Sequence, residues 1–85
     1  MCRNITPLRG LMPAATEDEI TAAAIQFVRK IAGVTTVTPA IRESFDRAVE
    51  DIANATRTLL IEMPARRNPP ATLPPLRRIN LKQTS

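Results

Sequence analysis

The chain has no histidine, no tryptophan and no tyrosine, and it holds one cysteine, two phenylalanines and two glycines in 85 residues. Each absence removes a kind of chemistry. Without His there is no imidazole to serve as a general base or metal ligand near neutral pH. One Cys cannot close an internal disulfide, and without His it cannot complete a typical zinc ligand set. With Phe as the only aromatic, the base stacking that single-strand nucleic-acid binders add to their positive charge is nearly missing. No run approaches the roughly 18 apolar residues of a membrane span. The N-terminus also lacks the apolar core of a secretory signal, so the expected setting is the reducing cytoplasm, with no membrane attachment. No cofactor is expected, and the balance leans away from an enzyme.

A chain this short buries only roughly 60 to 65% of the surface its unfolded form exposes, and small domains usually need a helper. Composition removes disulfides and metals as helpers. Self-association remains.

What the chain does have is helical periodicity. From Pro39 to Met63, Ile41, Phe45, Ala48, Val49, Ile52, Ala55, Leu59, Leu60 and Met63 share one face, with Glu43, Asp46, Glu50, Asn54 and Arg57 opposite. Thr38 followed by Pro39 is a start signal, and Pro64 is a stop. An earlier helix begins at Thr16-Glu17-Asp18-Glu19, which has the form of a capping box, and runs to about Ala32 before Gly33. On it Ile20, Ala24, Phe27 and Ile31 form a stripe, with Ala23 and Val28 at its margins and Ile25 off it. Val34 to Thr38 is β-branched, yet a lone five-residue strand has no partner here, so it reads as a turn. On the outer face, Glu43 with Arg47 and Arg47 with Asp51 are i,i+4 pairs, which marks a solvated surface. Neighbouring carboxylates such as Glu50 and Asp51 point about 100° apart and make a poor acid/base couple.

Two helices of about 16 and about 25 residues measure roughly 24 Å and 37 Å. In an antiparallel hairpin the shorter cannot cover the longer, which leaves Leu59, Leu60 and Met63 as a candidate interface. The N-terminal segment MCRNITPLRGLMPAA, broken by Pro7, Gly10 and Pro13, reads as an arm whose Ile5, Leu8, Leu11 and Met12 can lie on apolar surface. Arm and second copy together, in a dimer resembling a four-helix bundle, are the expected cover. Within the arm, Cys2 is a candidate reactive thiol, its thiolate favoured by Arg3. Its lack of an imidazole partner argues against nucleophilic catalysis.

Charge is distributed unevenly. Met1 to Met63 carries seven Lys and Arg against eight acids, whereas Pro64 to Ser85 carries Arg66, Arg67, Arg77, Arg78 and Lys82 and no acid. These five are candidate anion or nucleic-acid contacts. The same segment holds five of the eight prolines, none of them three apart, and it is expected to be extended or disordered.

Met1-Cys2-Arg3-Asn4-Ile5 with Leu8, Pro13, Ala15-Thr16, the run Ala22 to Gly33 around Gln26-Phe27-Val28-Arg29-Lys30, and Phe45, Ala48-Val49, Ala55-Thr56 and Leu59-Leu60 carry a resemblance. In these residues the chain resembles a family of small bacterial proteins of unknown function whose members open Met-Cys-Arg-Asn-Ile. The resemblance implies no activity. Ile41 stands where relatives tend to have Asn, and the proline-rich tail stands where they have a basic Ala- and Arg-rich segment.

The expectation is therefore an all-α protein, an antiparallel two-helix hairpin with a packed N-terminal arm. Residues 1–63 form the helical domain (arm 1–15, helices about 17–32 and about 39–63), and 64–85 form the basic tail. The expected role is a non-enzymatic interaction module, homodimeric or bound to another protein. A thiol-dependent redox or metal-delivery role through Cys2, and nonspecific nucleic-acid binding through the tail, are the alternatives.

Overall fold

The computed structural model describes residues 4–64, 70 and 72–77. Two helices, α1 (Glu17–Ala32) and α2 (Pro39–Glu62), pack against each other as an antiparallel hairpin, and the described residues contain no strand. The residues that precede α1 fold back over the far end of α2.

The ends of α1 are set by local chemistry. Thr16 has extended backbone angles, its hydroxyl accepts the Glu19 amide at 3.1 Å, and the Glu19 carboxylate accepts the Thr16 amide at 2.8 Å. Two of the helix's free amides are thereby satisfied within the first turn. At the other end Gly33 takes φ 70°, and its amide and that of Val34 both return to the Arg29 carbonyl, at 2.9 and 3.2 Å. Only glycine takes that left-handed angle without cost, so the helix stops there.

At the start of α2, Thr38 holds the cap position with extended angles, but its hydroxyl makes no capping bond. The start rests on Pro39, whose fixed φ suits a first helical position and which has no amide to satisfy. Helix α2 ends at Glu62, with Met63 extended ahead of Pro64 and its amide still bonded to the Leu59 carbonyl at 3.0 Å.

The core runs along the line where the helices meet. Ile20, Ala24 and Ala53 are buried together, with Leu8, Ala15, Val49, Ile52 and Leu60 packed around them. Leu11, Val28 and Phe45 are also buried. The stripe on α1 is rotated from the one its periodicity suggests: Val28 is inside, whereas Phe27 is 45% and Ile31 73% exposed. Alanines 24 and 53 at the crossing let the backbones approach, and this turns the row Ile20, Ala24, Val28 inward and the bulkier row aside.

Candidate interaction surfaces

Glu19 is doubly employed. Besides capping α1 it is buried, at 3% exposure, beneath Arg77 from the C-terminal segment. The Arg77 Nε donates to Glu19 Oε2 at 2.7 Å and its Nη2 to Oε1 at 3.2 Å. The same Nη2 donates to the carbonyls of Pro13 at 2.7 Å and Ala14 at 2.9 Å. Burial pushes the Glu19 carboxyl upward, but hydrogen bonds from Arg77 and the Thr16 amide, with the Arg77 charge, outweigh it and hold the group below its ordinary 4.5. One guanidinium thus fastens three stretches: the tail, the arm and the first turn of α1. Pro70, Pro74 and Pro75 are buried, and residues 75–77 form a single helical turn closed by the Arg77 amide donating to the Pro74 carbonyl at 3.0 Å.

A second charged contact joins the helices at the same end. The Arg57 guanidinium grips the Glu17 carboxylate, with Nε at 2.8 and 3.0 Å from its two oxygens and Nη2 on Oε1, and it reaches Asn54 Oδ1 at 2.6 Å through Nη1. Hydrogen bonding by Arg57 lowers the Glu17 pKa, with burial opposing it and the Arg57 charge adding to it. Both side chains are substantially solvated, so this pair sets helix register more than it stabilises.

The arm covers the overhang of α2. Leu8 joins the core cluster alongside Leu60, Arg9 Nε donates to the Pro64 carbonyl at 2.9 Å, and the Asn4 amide donates to Gln26 Oε1 on α1. Cover is incomplete. On the arm's side of the hairpin, a shallow groove of about 260 Å³ is shared by Ile5, Ala23, Phe27, Ile52 and Thr56. Beyond it Ile31, Ala55 and Leu59 are open to solvent. The other side of the hairpin carries a groove of about 690 Å³ with Ile25, Val49 and Ala53 in its wall and Arg29, Arg42 and Asp46 among its polar residues.

The three residues named as an interface part company here. Leu59 is 54% exposed, while Leu60 and Met63 are half-buried, Leu60 against the core and both beside the arm. Of the five tail cations, Arg77 is the one within the described residues, and it is spent on Glu19. Arg66, Arg67, Arg78, Lys82 and the thiol of Cys2 lie outside them. Sequence reasoning gave Glu19 a capping role but missed its second partner, because nothing local marks one tail arginine among five. Among the described residues no three His, Cys, Asp or Glu side chains group to hold a metal, and no helix is long and apolar enough to cross a membrane.

Residues 1–83 match the family described as "Uncharacterized conserved protein (DUF2277)", and the chain belongs to that family. The match takes in most of the proline-rich segment, which therefore falls within the family's extent. No curated protein and no solved structure matches the chain.

Proposed function

We propose that this family member is a non-enzymatic helical interaction module that works as a homodimer in the bacterial cytoplasm. The observation that carries the reading is the apolar face left open beside the arm, where Phe27, Ile31 and Leu59 are 45, 73 and 54% exposed around the half-buried Ile52. Contiguous apolar surface of this kind on a small protein marks an association site. The absence of His from the whole chain supports a binding role over a catalytic one. The reading of the tail as a nucleic-acid arm loses one cation, since Arg77 is committed to an internal carboxylate.

Light scattering tests the proposal with Leu59→Glu, which places a charge on the open face without touching Leu60. The wild-type chain is expected at twice its own mass at micromolar concentration, and the variant at its own mass with unchanged helical circular dichroism. A wild-type chain at single mass rejects self-association.

A further inference from the structure

The acceptor site around Glu19 is built from the arm and α1 alone. Its carboxylate is fixed by the Thr16 amide, 2.8 Å from Oε1, inside the capping box of α1. The carbonyls of Pro13 and Ala14 stand just ahead of that cap on the arm. The core cluster is likewise assembled from the arm and the two helices, through Leu8, Ile20, Ala24, Ala53 and Leu60.

Residues 72–77 are laid on this finished surface. Among the described residues, every hydrogen bond that joins them to the rest of the chain comes from the Arg77 guanidinium. The segment also brings its own shape, since the Arg77 amide donates to the Pro74 carbonyl at 3.0 Å and two consecutive prolines restrict the backbone ahead of it.

We propose that this site is a receptor for an arginine presented on a proline-rich segment of another protein, and that Thr72-Leu73-Pro74-Pro75-Leu76-Arg77 is its resident, exchangeable occupant. The proposal is independent of self-association. The same segment in a second copy is already seated on its own Glu19, so the external occupant is a different protein.

The acceptors select a guanidinium. Nε and Nη2 meet the two carboxylate oxygens as a fork, at 2.7 and 3.2 Å, while Nη2 also serves the two carbonyls at 2.7 and 2.9 Å. A lysine ammonium carries all its donors on one atom and cannot reproduce that fork. Pro70, Pro74 and Pro75 are buried, so the segment buries apolar surface along with its charge, and its prolines have little conformational freedom to lose. Leu76 is 39% exposed, so the position before the arginine is left unread.

The resident segment sets a threshold. A tethered occupant acts at an effective concentration on the order of millimolar, and an external segment displaces it only by binding more tightly or through further contacts.

Fluorescence anisotropy tests the proposal with a dye-labelled Thr-Leu-Pro-Pro-Leu-Arg peptide, blocked at both ends and added to full-length chains. Arg77→Ala vacates the guanidinium position and keeps Glu19. It is expected to bind the peptide at least about tenfold more tightly than the wild type, whose own tail competes. A peptide with Lys in place of Arg is expected to bind the variant about tenfold more weakly, the loss of a charge-assisted hydrogen bond. Adding Glu19→Gln to Arg77→Ala is expected to abolish binding. Circular dichroism reports whether each variant keeps its helices; if Arg77→Ala does not, Arg77→Lys, which keeps a cation and weakens the resident contact, is measured in its place. No binding to the folded variant, no gain over the wild type, or binding indifferent to Arg against Lys or to Glu19→Gln overturns the proposal and leaves Arg77 as a fixed structural tie.

Discussion

Arg77 and Glu19, 58 positions apart in the chain, form a closed ion pair, with Nε 2.7 Å from Oε2 and side chains 15% and 2% exposed. Removing one partner of such a pair leaves a buried charge alone. Arg77→Met is expected to lower stability by about 3 kcal/mol, a large share of the roughly 5 to 10 kcal/mol of a small domain. Urea unfolding followed by circular dichroism checks this, and the double variant Arg77→Met with Glu19→Gln should recover part of the loss.

The same pair fixes the acid response. Glu19 has its folded pKa held below 4.5, so the unfolded chain binds the proton more readily than the folded one. The stability it contributes is fully present above that value and is lost as pH falls through the lower folded value. Urea midpoints should change little for this reason from neutral pH down to about 4.5, and below that should fall more steeply in the wild type than in Glu19→Gln, which has no proton to gain.

Much of this architecture is legible in the chain itself. The capping box, Gly33, Pro39 and Pro64 act within one turn of helix, so local residues reveal the two helices and their limits. The difference in helix length follows from these limits, and with it the need for a cover over Leu59, Leu60 and Met63. Two features were not legible. Which of Phe27 and Val28 turns inward depends on how closely Ala24 and Ala53 approach, and this is a property of the pair of helices. The partner of Glu19 lies across the whole chain and carries no local mark.

Gly33 gives a purely backbone prediction. A Cβ there would meet no atom within 4 Å, yet φ is 70°. Gly33→Ala is expected to cost about 1 kcal/mol through the left-handed conformation alone, measured as a drop in urea midpoint with an unchanged slope.

Thr6 offers the opposite sign. Its Oγ1 is buried without a hydrogen-bond partner. Thr6→Val keeps the shape and removes the unsatisfied hydroxyl, and it should raise stability by about 1 kcal/mol. An unchanged or lower thermal midpoint would mean that the hydroxyl is satisfied in solution.

The central claim is that this hairpin is half of a symmetric unit. Sedimentation equilibrium of the full-length chain, over a concentration series through the micromolar range, tests it most directly. The account predicts a mass approaching twice that of the chain as concentration rises. A single compact species at the mass of one chain throughout the series would contradict it.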